Sequence, residues 1–181
     1  MSNSQYKEFA EKVSQSFEKI RQKYPSEFQC KNGCHECCKP KLTVNYLEKT
    51  AIKDFLELYP KRIELLRNLK KKNPHKGKRC EFLDEQGSCI IYETRPIVCR
   101  SHGAPLQFAD PENTNKDKAL RFRDVCPLNF ISTPIDKLTP TDVLNLDTIH
   151  TLMVLLLKHI IKNPTIAEER TPLVLENILK R

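Results

Sequence analysis

Tryptophan is absent from this chain, and only 4 of its 181 residues are glycine. Without tryptophan, and with aromatics at 7%, a base-stacking platform for single-stranded nucleic acid is not expected. Few glycines argue against flexible linkers. The longest uninterrupted apolar run, Leu152 to Leu157, stops at Lys158, far short of the ~20 residues that span a bilayer. The first residues, MSNSQYKEFAEKV, lack the apolar core of a secretory signal. A cytoplasmic protein is therefore expected. No Ser/His/Asp set, phosphate-binding loop or carboxylate pair stands out.

Cysteine is abundant, with 8 residues, and 4 of them lie within CKNGCHECC: Cys30, Cys34, Cys37 and Cys38. The others, Cys80, Cys89, Cys99 and Cys126, are spread over the following segment. Crowded thiols oxidise or misbridge unless they have a partner. Neighbouring Cys37 and Cys38 cannot form a strain-free disulfide. An even count fits disulfides on arithmetic alone, but a reducing compartment favours thiolates on metal. Eight sulfurs divide into two tetrahedral zinc sites. Four thiolates also suit an iron–sulfur cluster, and Cys126-Pro127 echoes the Cys-Pro that closes ferredoxin-type ligand runs. A metal with an open position for chemistry is the third reading.

The chain length predicts one domain, and the patterning predicts an α+β fold, mainly helical: a small cysteine-rich core with a short β-hairpin, packed on several helices. Three stretches organise it: 1–29 as an N-terminal amphipathic helix, 30–130 as the cysteine-cluster domain, and 131–181 as C-terminal helices on the same core. Phe9, Val13, Phe17 and Ile20 recur at helical spacing over Gln5 to Tyr24. Gly33, just before Cys34, suits a positive φ that turns backbone N–H groups toward sulfur. Asn45 with Glu48 forms a capping-box pattern opening a helix over Tyr46 to Leu58, stopped by Pro60. A second helix is predicted from Arg62 to Lys71, then a polar loop from Asn73 to Arg79 broken by Pro74 and Gly77.

In CEFLDEQGSCIIYETRPIVCR, β-prone runs at Glu81 to Leu83 and Cys89 to Tyr92 flank a turn. A four-residue turn pairs Phe82 with Cys89 and sets Cys80 diagonally beside Cys89, whereas a bulge at Gly87 breaks that parity. Thr94 is placed to cap a short helix near Pro96 that aims Cys99 back at the hairpin. Pro105 to Phe130 reads as loop with a strand at Leu120 to Phe122. Asp147 to Lys162 reads as a buried helix, and Thr171-Pro172 as the start of a last helix to Lys180.

Arg95 and Arg100 flank Cys99 and are placed behind the thiolates, where they would offset negative charge and donate N–H···S bonds; tethering to an acidic neighbour is the plainer role for Arg95. His35 and His102 lie near cysteines, but eight thiols leave them a supporting or solvent role. His150 and His159 read as core or surface residues. The formal +8 is local: Lys61 to Arg79 holds nine basic residues against Glu64 alone. That segment is a solvated helix face that an acidic partner could use, and specific nucleic-acid binding is not expected of it.

The spacing Cys30-x3-Cys34-x2-Cys37 matches the cluster motif of radical S-adenosylmethionine enzymes. A preceding helix, the added Cys38 and the lack of alternating strands and helices set that match aside. Taken together, CKNGCHECC, the 80–100 block and Cys126-Pro127 resemble the YkgJ-type cysteine-cluster family, the CxxCxxCC zinc- or iron-chelating domain. The first block departs by one residue between Cys30 and Cys34. The resemblance implies that all eight cysteines hold an iron–sulfur cluster or zinc, iron being preferred. Larger relatives include flagellin lysine methylases thought to carry an iron–sulfur cluster, so a metal-dependent enzyme is the alternative.

Overall fold

The computed structural model describes residues 2–31, 33–72, 77–109 and 121–180. The apolar stripe of the N-terminal segment produces helix α1 (Ser2–Lys23), which begins before the predicted Gln5. Tyr6, Ala10, Val13 and Ile20 on that stripe are buried. The predicted capping box is formed in full. Glu48 N–H donates to Asn45 Oδ1 at 3.0 Å, and Asn45 N–H donates to Glu48 Oε2 at 2.9 Å. It opens α2 over Tyr46–Leu58. Helix α3 (Pro60–Lys72) starts at the proline expected only as a stop. Proline suits the first helical position, where its missing N–H has no partner to lose.

Apart from the 15-residue helix over Leu146–Ile160, the remaining elements are short. They are α4 (Ile97–Ser101), α5 (Leu146–Ile160), α6 (Pro164–Glu168) and α7 (Leu175–Leu179), with strands β1 (Thr43–Val44), β2 (Leu106–Ala109), β3 (Arg121–Asp124), β4 (Leu144–Asn145) and β5 (Thr171–Pro172). The chain is α+β and mainly helical, as its patterning implies. Strands β1 and β5 pair antiparallel; β2 pairs antiparallel with β3 and parallel with β4.

Helix α2 divides the core because its two faces bury against different partners. Leu47 and Ala51 join Tyr6, Val13, Ile97, Met153 and Leu157. Ile52 and Leu56 join Leu66, Phe82, Ile91 and Ile178. A third cluster, Ile20, Ala104, Phe130, Leu138, Val143 and Leu144, lies under the far end of α1. Among the described residues no helix is long and apolar enough to cross a membrane.

Several expectations need correction. The predicted hairpin shrinks to one bridge, and Leu83 rather than Phe82 stands opposite Cys89. Five residues connect them, because Asp84 Oδ1 accepts from Gln86 N–H and Ser88 N–H at 2.9 and 2.7 Å. Thr94 ends a 3-10 turn over Tyr92–Thr94 instead of capping α4. The cap comes from α2, whose Glu48 Oε1 accepts from Ile97 N–H at 3.0 Å. The predicted strand at Leu120 is Arg121–Asp124, and Leu120 lies outside the described residues. Thr171-Pro172 forms a strand, with the last helix starting at Leu175. Helix α5 is not buried all round: Leu152 and Leu155 remain 48% and 58% exposed. Residues 73–76 of the predicted polar loop also fall outside the described residues.

Candidate metal centre

All eight cysteines are free and half-buried, and they arrive from separate elements. Cys80 and Cys89 pack against the cluster of Phe82 and Ile91, and Cys99 lies in α4. The 30–38 loop joins this block through its backbone, with Cys80 N–H donating to Cys38 O at 3.1 Å. Gly33 adopts the expected positive φ of +86°, and Gly87 sits at +82°. Gly87 meets the loop so closely that a Cβ there would lie 2.6 Å from His35 Nδ1 and 3.0 Å from Gly33 O. Only glycine allows both the contact and the φ.

Asn129, which the sequence did not single out, clips the other side. It is 2% exposed. Its Nδ2 donates to Cys30 Sγ at 3.3 Å and to Gly103 O at 2.8 Å. Its Oδ1 accepts from Gln29 N–H at 2.9 Å, and its own N–H donates to Cys126 O at 2.8 Å. One residue thus ties Cys30, through its side chain, to Cys126, through its backbone. A Cβ on Gly103 would come within 3.0 Å of Cys30 Sγ, so Gly103 opens the space the thiol occupies. The only sequence signal for Asn129 is its place three residues after Cys126, too little to mark it.

The thiols lie within each other's electrostatic reach. Burial pushes the Cys30 thiol up, Asn129 pulls it down, and charge on Cys34, Cys126 or Cys37 pushes it up again. Burial pushes Cys80 up to about 11 and Cys99 up to about 12; Cys99 also feels Cys80, Cys89 and Cys37. The bond with Cys38 and then burial push Cys37 up. These thiols hold their protons near neutral pH, and a metal ion must displace them. Among the described residues no three His, Cys, Asp or Glu side chains stand where they could hold one ion. Charge on Cys37 is felt at both Cys30 and Cys99.

The two arginines separate. Burial raises Cys89 and Cys99, and the Arg95 guanidinium works against it at both, as it does at Cys37. Arg95 lies 4.0 Å over the Tyr92 ring, and its Nε is buried without a hydrogen-bond partner. Arg100 faces away, donating to Arg95 O, Glu93 O and Ser14 Oγ at 2.9, 2.7 and 2.8 Å. It stitches α1 to the cysteine block. The acidic neighbour Glu93 pairs with Arg62 at 2.9 Å. Of the histidines, His35 bonds Gly33 O through Nδ1 at 2.8 Å and His102 bonds Val98 O at 3.1 Å. A carbonyl only accepts, so Nδ1 carries the proton and Nε2 stays available in each neutral ring. His150 and His159 are exposed on α5.

The residues fit a thiolate-bound metal in the chemistry of the donor set, which is all sulfur, and in the unpaired Arg95 beside it. Four buried side-chain polar atoms among the described residues lack a partner: Tyr6 Oη, Asn45 Nδ2, Arg79 Nε and Arg95 Nε. Arg95 faces the thiols, and Arg79 lies at the Gly87 contact, where its Nη2 would be 3.2 Å from a Cβ. A cationic donor near sulfur is held more strongly once the sulfur is ionised.

The basic segment is partly committed to the fold. Arg62 also donates to Ile90 O at 2.6 Å, and Lys70 pairs with Glu176 at 2.6 Å and Glu81 at 3.4 Å. Lys61, Arg67, Lys71, Lys72 and Lys78 are exposed, and Lys76 lies outside the described residues. The groove between α1 and α5, lined by Phe9, Val13, Ile20, Leu144, Ile149 and Leu152, contains no cysteine.

A model of the family described as "CxxCxxCC: Putative zinc- or iron-chelating domain" matches residues 29–127, more than half of the chain. The chain belongs to this family of cysteine-rich, metal-chelating domains. No curated protein and no solved structure matches it.

Proposed function

We propose that this protein binds iron, as an iron–sulfur cluster, through the thiolates of Cys30, Cys34, Cys37, Cys38, Cys80, Cys89, Cys99 and Cys126, with Arg95 offsetting their charge. The observation that carries this reading is the set of eight free, half-buried thiols supplied by separate segments, with the 30–38 loop bonded to the 80–99 block through Cys80 N–H and Cys38 O. Zinc would suit the same sulfurs, and ligand type does not choose between them. Iron is favoured by an all-thiol set with no histidine among it, by Cys126-Pro127, and by the resemblance to iron–sulfur methylases. A bound centre would neutralise the thiolates and hold the 30–38 loop to the 80–99 block. Chelation is the role proposed, in the cytoplasm, where thiols stay reduced.

The test is metal and sulfide analysis of anaerobically purified protein, read with its visible spectrum. Brown protein that bleaches with dithionite and carries iron with sulfide is expected. The Cys37→Ser and Cys89→Ser variants should each lose metal. Colourless protein with stoichiometric zinc would overturn the iron assignment and leave the ligand set intact.

A further inference from the structure

We propose that Asn129 is a positioning residue of the metal centre, fixing the Cys30 sulfur beside the turn that carries Cys126 so that these two cysteines, the first and last of the chain, ligate the same metal. The proposal rests on the thiolate–metal reading above and concerns a residue outside the matched segment 29–127. Asn129 is 2% exposed, and its amide is fully committed. Its Oδ1 accepts from Gln29 N–H, and Nδ2 donates to Gly103 O and Cys30 Sγ at 2.8 and 3.3 Å. A backbone N–H only donates and a carbonyl only accepts, so these neighbours fix which end of the amide faces the sulfur. The bond is already made to the free thiol and needs no change of protonation.

The joint between the two segments does not depend on that bond. Phe130 N–H donates to Glu27 O at 2.9 Å, and the Glu27 carboxylate accepts from Ser132 N–H and Thr133 Oγ1 at 3.2 and 2.8 Å. Phe28 also packs edge-on against Phe130, with ring centroids 5.2 Å apart. Yet Phe130 takes a φ of +53°, in the left-handed region that bulky residues avoid. Backbone strain of this kind gathers at functional sites. Here it directly follows the turn that Asn129 N–H closes on Cys126 O at 2.8 Å. Cys30 is therefore one asparagine side chain and one backbone turn away from Cys126, and charge on Cys126 is felt there.

Metal-free full-length protein is titrated anaerobically with cobalt(II) alone, read by thiolate-to-metal absorption, and each metal-free form is melted. Cys30→Ser and Cys126→Ser should abolish uptake at one and the same site, so the double variant should lose no more cobalt than either single one. Asn129→Ser should bind that cobalt about 10-fold more weakly, the size of effect seen when a residue behind a metal ligand is lost. Thr133→Val is the control: it removes a bond of the same joint away from the thiols, and should lower the metal-free melting point with cobalt affinity unchanged. If the two cysteine losses add, the sulfurs serve different centres, and the proposal falls while the thiolate–metal reading stands. If Asn129→Ser weakens cobalt no more than Thr133→Val does, Asn129 only joins the segments and the proposal falls likewise. Should Asn129→Ser fail to fold, the cysteine pair decides alone. If the wild type takes no cobalt into a thiolate environment, that reading falls and the proposal with it.

Discussion

The two cysteine blocks carry four and three thiols respectively, yet they are held in opposite ways. Cys80 to Ser101 buries Phe82, Ile90, Ile91, Pro96 and Ile97 in the core, and the thiols ride on that packed scaffold. None of the described residues from Cys30 to Cys38 is fully buried. The loop depends on a few backbone bonds, the Gly87 contact and the Asn129 clip. Apolar burial builds the second block before any metal arrives. The first block buries little surface of its own, and on the proposed metal reading its thiols are what tie it down. The difference separates a packed platform from a lightly held loop.

The largest effect should come from breaking the platform. Phe82 is fully buried, and Phe82→Ala should cost about 3–5 kcal/mol of stability in denaturant titration. A loss below 1 kcal/mol would mean that the second block is not the scaffold.

Gly87→Ala acts on the joint between the blocks. The new Cβ meets His35 and the Gly33 carbonyl at a φ of +82°, a backbone conformation costing non-glycine residues roughly 1–3 kcal/mol. Stability should fall by about that much, and metal uptake should weaken beyond what the stability loss explains. Unchanged metal uptake would show that the loop is positioned by other means.

The smallest effect lies away from the thiols. Asp142 accepts from Lys23 Nζ at 2.6 Å, Thr139 Oγ1 at 2.7 Å and Tyr24 Oη at 3.0 Å. Burial opposes its charge, but these bonds outweigh it and hold the pKa at about 2. A carboxyl depressed in the folded state stabilises above its unfolded pKa near ~4 and loses that contribution as pH falls toward 2. Asp142→Asn should flatten the acid limb of a stability–pH curve between these values and leave metal content unchanged.

The helices that follow local rules could be read directly. The stripe of Phe9, Val13, Phe17 and Ile20 marked α1, and the Asn45–Glu48 pair marked the start of α2. What stayed hidden depends on contacts between distant residues. Glu48 caps α4 across 49 positions, so Thr94 looked like the cap. The side chain of Asp84 lengthened the turn to five residues, so Leu83 took the place predicted for Phe82. Arg95 and Arg100 looked alike beside Cys99, yet their guanidinium groups point to different surroundings, and only the fold decides which. Asn129 gave no signal, because a lone polar residue acquires its role from what packs around it.

Hydrogen exchange tests the account's central claim most directly. Anaerobically purified protein is compared before and after its metal is stripped by a chelator. Amides of Cys34, Cys38 and Lys39, bonded only within or just beside the loop, should exchange much faster once the metal is gone, while Ile90 N–H, bonded to Phe82 O at 2.8 Å, keeps its protection. If loop exchange does not change on metal removal, the thiols do not hold the loop through a metal, and the account is wrong.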